Sequence, residues 1–323
     1  MVNVFQKIRK NLKESYSNFE RRKFVFCYMV ILLPVAQFAI FWIYKNISSI
    51  VLAFQDGAGN FTMDNFEMVW KGFVDVDKYG FNLKQALGQS ITVWLISCIA
   101  FPISVITTYI LTSKLYGHGV LRICYILPDL VGSIIWVSLV RYMMGFDGPI
   151  IEMLQAIGVE LPRAAIRNGL LGAEETAFPA IMIFNFCLGI VGNNAVLTGA
   201  FSRVPEELFE AAKLDGAGYW KTCFYVAIPC IWSTITMILI FKLCGIFTAD
   251  YSAWLYSNGT GNPGMTNMGF MLYNLTYTIS HGGGQSSDFG YPAALGFVLT
   301  CITLPIVFVG RWGLEKIQEA VEV

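Results

Sequence analysis

The sequence predicts an all-α integral membrane protein, a bundle of six spanning helices. Three observations lead there. The 323 residues are 55% hydrophobic and only 14% charged, against roughly 25% charged in soluble domains. The mean hydropathy is +0.57. Six apolar stretches also approach the length of about 20 residues that a helix needs to cross the hydrocarbon core. The net charge is zero, so no bulk attraction to nucleic acid is implied.

The first stretch is Phe24–Tyr44, uncharged throughout. It is too long for a secretory signal and lacks a small-residue cleavage site, so a spanning helix is expected. The second is 88–112, with Pro102 inside, and the third is 123–144, interrupted by Asp129 and Arg141. The fourth covers 176–201, the fifth 222–248 with Lys242, and the sixth 289–312. Residues 1–23 read as a basic segment, either amphipathic on the inner leaflet or a disordered tail, and 313–323 as a short tail. Three connecting segments, 45–87, 145–175 and 249–288, are too long for plain turns. They could form a platform for an external receptor.

Lys and Arg set the orientation. Fourteen fall in the N-terminal segment, the second and fourth connections and the C-terminus, and six in the other connections. Both termini and residues 202–221 are therefore expected on the cytoplasmic side.

Residues 205–229 are a polar island in this apolar chain. Pro205 suits a helix start, and the carboxylates of Glu206 and Glu207 favour a helix N-terminus. Leu208, Phe209, Ala211, Ala212 and Leu214 give a short apolar face. Asp215-Gly216 is a stop signal, because Gly readily takes the left-handed conformation that ends helices. Glu210-Ala211-Ala212, three residues, Gly216, nine residues and then Val226-Ala227-Ile228-Pro229 make a fixed spacing. It resembles the EAA loop of permease subunits in binding-protein-dependent ABC importers, with Val226 and Ile228 as apolar replacements for Ile and Leu.

The resemblance extends along most of the chain, to the sugar-permease branch of maltose- and glycerol-phosphate-type permeases. It is carried by Leu33-Pro34, 62–70 (TMDNFEMVW), 122–136 (RICYILPDLVGSIIW), 261–273 (GNPGMTNMGFMLY) and Tyr291-Pro292-Ala293-Ala294. Two departures stand out: Phe178 and Phe184 occupy a region that carries Trp in the family, and 281–288 (HGGGQSSD) lengthens the last outer segment.

The resemblance implies a six-transmembrane-helix type I importer bundle in the bacterial plasma (inner) membrane. Its partners would be a second, related permease subunit, a cytoplasmic ATPase dimer, an extracellular solute-binding protein, a sugar and membrane lipid. Glu207, Glu210, Ala211, Ala212, Asp215, Gly216 and Pro229 would form the ATPase-coupling loop. ATP and magnesium would be held by the ATPase subunits, since this chain has no phosphate-binding G-x-x-x-x-G-K-[ST] loop. An importer for phosphate or an amino acid shares the loop, and a stand-alone carrier or channel is the reading from another class.

Polar groups at membrane depth usually face a bundle interior or water. Lys242 could line a substrate cavity, pair with Asp129 or Asp250, or snorkel outward. Asn185, Asn193 and Asn194 carry donors and acceptors that suit polyols, but asparagine also joins membrane helices. Asp129, after Pro128, fits a helix kink or interface as well as a substrate path. Arg141 and Tyr142 could gate the outer mouth or anchor at the interface. Trp94, Trp136, Trp232, Trp254 and Tyr251 could stack on sugar rings. His118 and His281 lie far apart, which argues against a metal site, and no C-x-x-C pair occurs among the eight Cys.

Overall fold

A computed structural model describes residues 23–56, 59–74, 82–113, 118–131, 133–247, 266–281 and 289–321. All but Lys23 of the basic N-terminal segment 1–23, the whole of 248–265 (with Asp250, Tyr251 and Trp254) and all but His281 of the insertion 281–288 lie outside them. The described chain is helical, with one isolated β-bridge between Gln55 and Phe61.

Helix α1 spans Lys23–Ala53, well beyond the expected end at Tyr44. Its polar turn stays helical after a π-helical turn at Ala39–Ile43, and Asn46 Nδ2 donates to the Trp42 carbonyl at 2.7 Å. The carbonyls at its end find a donor in another helix, α2 (Asp64–Val74). The buried Asn65 donates to Ala53 O at 3.1 Å and to Gln55 O at 2.9 Å. The first half of the expected outer segment 45–87 is therefore largely helix, tied into the core.

Helix α3 (Leu83–Thr112) starts earlier than expected, because Asn82 Oδ1 accepts from Gln85 N at 3.2 Å and caps it. The third expected span is two helices, α4 (His118–Leu130) and α5 (Ser133–Met143). The Pro128 carbonyl, which an unbroken helix would bond four residues on, accepts instead from Trp136 Nε1 at 3.1 Å. Two short helices follow, α6 (Pro149–Ala156) and α7 (Arg163–Asn168).

The fourth span is α8 (Glu174–Val191) followed by α9 (Asn194–Phe201). Between them Asn193 takes φ +66°, a left-handed conformation that Asn tolerates better than most residues. A break at bilayer depth must satisfy its own backbone groups. Ser104 Oγ donates to Gly192 O at 3.0 Å. Tyr125 Oη donates to Ile190 O at 2.9 Å, and Asn194 Nδ2 donates to Val191 O. Thr108 Oγ1 in turn donates to Asn194 Oδ1 at 2.7 Å. Small residues let α3 and α8 meet closely: a Cβ on Gly189 would stand 3.0 Å from that of Ala100.

Helix α10 is Glu206–Leu214. The fifth span is α11 (Tyr219–Cys230) and α12 (Trp232–Cys244), bent by 71° between them. Pro229 has no N–H for the Tyr225 carbonyl, and the chain accommodates it with a π-helical turn at Cys223–Ala227, in which Ile228 N donates to Cys223 O. Helix α13 (Met268–His281) lies within the expected outer segment 249–288, yet Met268, Phe270, Met271 and Leu275 are fully buried. Asn267 Oδ1 accepts from Phe270 N at 2.7 Å at its start, and Met268 N donates to Ser90 Oγ at 2.9 Å. The last helix, α14 (Gly290–Val321), runs through the expected tail at 313–323. The Arg311–Glu315 pair at 2.6 Å supports this last part.

Three apolar clusters hold the bundle. One joins α1, α2, α3, α13 and α14 around Ala53, Val69, Leu83, Met271 and Leu295. A second joins α3, α9, α11 and α12 around Phe101, Leu197, Phe201, Cys223 and Ile235. A third joins α5 and α8 to the short helices around Val140, Ile151, Ala165 and Ala177. Among the described residues four helices are long and apolar enough to cross a membrane, five if α11 and α12 count as one span. The third of the six expected spans is not seen as a single helix.

Two substitutions probe these joints. Asn65→Leu leaves two carbonyls at the end of α1 without their donor, at a cost of about 1–3 kcal/mol. Asn194→Leu removes the donor to Val191 O and the acceptor for Thr108 at the α8–α9 break, with a loss of similar size. Both should lower the thermal midpoint of the detergent-purified protein, whereas Asn46→Leu at an exposed site should change it little.

Candidate functional site

Two places in the fold collect the residues singled out from the sequence. The first is α10 at one end of the bundle. Pro205 stands at its N-cap, and Glu206 and Glu207 occupy the first turn, where carboxylates complement the helix dipole. Ala212 is buried and Phe209 is half-buried against the second cluster. Glu207, Glu210, Ala211, Lys213, Asp215 and Gly216 are exposed, and Leu214 is 89% exposed.

The helix stops as the sequence predicts. Gly216 adopts φ +74°. Its N–H donates to Lys213 O at 3.1 Å, and Ala217 N donates to Ala212 O at 2.9 Å. These two bonds make a Schellman motif, with Asp215 as the C-cap. The result is a short, capped helix fastened by two side chains, with its carboxylates and small residues turned outward. Pro229 belongs to the same motif but lies elsewhere, half-buried near the bend between α11 and α12.

A contact that sequence reading did not anticipate ties this loop to α3. Tyr219, at the start of α11, stacks obliquely on Tyr109 with ring centroids 5.1 Å apart. Its hydroxyl shares a hydrogen bond of 2.6 Å with Ser113 Oγ. Tyr109 also packs on Phe201 at 5.7 Å, so the end of α9 joins the same aromatic group. No spacing in the chain links residues 109 and 219, so only the folded structure could reveal them.

The second place is a cavity of about 400 Å³ between α3, α8 and α12, lined by Val93, Trp94, Ser97, Asn185, Asn193, Ile238, Phe241, Lys242 and Gly245. Lys242 Nζ donates to Ser97 Oγ at 2.5 Å and to Ser97 O at 3.3 Å. It also lies 5.6 Å from the centre of the Phe101 ring. Trp94 Nε1 donates to Lys242 O at 3.1 Å, which fixes the indole against the cavity wall. The cavity can offer a cation, amide groups and an aromatic face to a polar solute.

Of the candidate path residues, Lys242, Asn185 and Asn193 thus meet at one cavity. Asn194 is fully buried in the helix break and bonded to Thr108 and Val191. Trp136 spans the α4–α5 break through Pro128. The Asp129 side chain lies outside the described residues, as does Asp250, so neither expected pairing with Lys242 is among them. Ser97 escaped the sequence reading, because a lone serine in an apolar helix carries no signal until the helix facing it is known.

No protein-family model matches the chain. In sequence it is 29% identical over 184 residues to the diacetylchitobiose uptake system permease protein NgcF of Streptomyces coelicolor, covering 56% of this chain and 48% of that protein. It is 26% identical over 236 residues to the maltose/maltodextrin transport system permease protein MalF of Escherichia coli K12, covering 71% of this chain and 42% of that one. The chain thus spans less than half the length of these relatives. In structure it matches a chain of a bacterial ABC transporter involved in import of the acidic polysaccharide alginate, with TM-score 0.69 and 19% identity. That match covers 90% of this chain and 96% of the other. A crystal structure of the bacterial alginate transporter in complex with its pentasaccharide-bound periplasmic protein matches equally, with TM-score 0.69. The chain has the fold of an ABC importer permease subunit and is similar in sequence to the sugar-permease branch of that family.

Proposed function

We propose that this chain is one of two permease subunits of an ATP-driven, binding-protein-dependent importer for a carbohydrate, most simply an oligosaccharide. The observation that carries this reading is α10: an exposed, capped helix with Glu210 and Ala211 turned outward, at the end of an apolar bundle. Such a helix fits a groove on a partner, and small residues allow close approach. The subunit binds no nucleotide itself. ATP and magnesium are held by two copies of a cytoplasmic ATPase, and a related second permease completes the pathway. An extracellular binding protein delivers the sugar, and the assembly sits in the plasma membrane with both termini of this chain in the cytoplasm.

The mechanism is alternating access. ATP binding closes the ATPase dimer and moves α10. That displacement reaches α3 through the Tyr219–Tyr109 stack and the Tyr219–Ser113 bond, and it reaches α12 through α11 and the bend that joins them. Helices α3 and α12 both wall the cavity, so moving one against the other changes its access. The solute must bind the two states differently for the cycle to have a direction.

The test is ATP hydrolysis by the chain reconstituted with its companion permease, ATPase and binding protein. Stimulation by a saccharide-loaded binding protein supports the reading. Stimulation by phosphate or an amino acid keeps the architecture and discards the sugar. Failure to associate with any ATPase overturns it. Glu210→Lys should abolish stimulated hydrolysis and uptake while the chain still inserts in the membrane. Gly216→Pro should do the same, because proline cannot adopt φ +74° and lacks the N–H that bonds Lys213 O. Tyr219→Ala should leave ATPase binding intact and lower uptake per ATP hydrolysed several-fold, measured as transported solute against released phosphate.

A further inference from the structure

The cavity between α3, α8 and α12 has a charge that no described residue of its wall balances. Among the described residues that line it, Lys242 alone is charged, beside Trp94, Ser97, Asn185 and Asn193. Its ammonium is held by a neutral hydroxyl and a neutral carbonyl, both of Ser97, and by the face of Phe101. Among the described residues no Asp or Glu forms an ion pair with it. The ion pairs seen there are Glu67–Lys71 and Arg311–Glu315, both exposed and each within one helix.

An ammonium at bilayer depth is costly unless a counter-charge or water reaches it. It is also a compact, strongly hydrated point charge that attracts any anion without demanding planar geometry. Ser97 takes at most two of its three protons, and the position faces an open cavity rather than a packed core. A neutral sugar would leave this charge uncompensated when it displaced water from the cavity. A sugar carrying a negative group would compensate it.

Resting on the reading of the chain as a saccharide permease, we propose that this cavity accepts an acidic saccharide, with the anionic group of one sugar unit on Lys242 Nζ. Asn185 and Asn193 lie where they can meet hydroxyls, and the Trp94 indole offers a face to a sugar ring. The recognised chemistry is the negative charge, which a uronate carboxylate, a sulfate ester or a phosphate ester can each supply.

The experiment measures uptake into proteoliposomes holding the complete transporter with its binding protein. Oligosaccharides of matched length are offered in neutral, uronate, sulfated and phosphorylated forms. The expected result is uptake of one acidic series at least ten-fold faster than of the neutral one, and the series taken up identifies the anion. Lys242→Met should lower that uptake at least ten-fold and raise the half-saturating concentration, while Lys242→Arg retains most of it. Faster uptake of neutral saccharides overturns the assignment of charge and leaves the importer standing. Equal loss in Lys242→Met and Lys242→Arg also overturns it, because the lysine would then serve only to join α12 to α3. If no saccharide of any charge is taken up or stimulates hydrolysis, the saccharide reading falls and this inference falls with it. The substrate comparison needs no variant, so it decides the matter even where Lys242→Met fails to assemble.

Discussion

In hydrocarbon a backbone group without a partner costs several kcal/mol, so a chain can interrupt a helix only where the protein supplies replacements. Among the described residues three spans are interrupted, two served by particular side chains and one by the backbone itself. Trp136 takes the Pro128 carbonyl at the α4–α5 break. Ser104, Tyr125 and Asn194 serve the α8–α9 break. A π-helical turn absorbs Pro229 before the bend into α12. The cavity lies beside one of these joints, at Asn193, and is walled farther along α12 from Ile238 to Lys242.

Helix α3 is the element common to both candidate sites. Near one end Tyr109 and Ser113 grip Tyr219 of the polar loop. Twelve residues away Ser97 holds Lys242 at the cavity, about 18 Å along the axis at the ordinary helical rise. An unbroken helix with Pro102 between these points can act as a lever between the loop and the cavity. The broken partners α8–α9 and α11–α12 give way more readily. This division of a stiff strut from jointed neighbours follows from where Pro229 and the Gly192-Asn193 pair sit, and from the absence of any such break in α3.

Much of the fold was legible because bilayer thickness imposes a simple length rule on apolar runs. Stretches 24–44, 88–112 and 176–201 lie within helices long enough to cross, and so does 289–312 from its second residue on. What periodicity and hydropathy could not show was how far those helices continue. The ends of α1 and α14 are polar on paper, yet Asn65 caps the one and the Arg311–Glu315 pair supports the other. Helix α13 falls in a stretch that the glycines before and after it mark as an outer segment. Its buried face appears only once α3 and α14 are placed against it.

The sequence by itself determined the all-α membrane class, the polar loop with its Gly216 stop, and the short list of intramembrane polar residues. These are local or compositional properties: a left-handed stop needs glycine, and a spanning helix needs apolar length. Only the tertiary structure decided which polar residues share a site. Asn193 and Asn194 are neighbours in the chain, yet one lines the cavity and the other is sealed in the helix break. Ser97 became the partner of Lys242, 145 residues away, for a reason no local pattern carries: side-chain hydrogen bonds between helices depend on the rotation and depth of each helix, which packing alone sets.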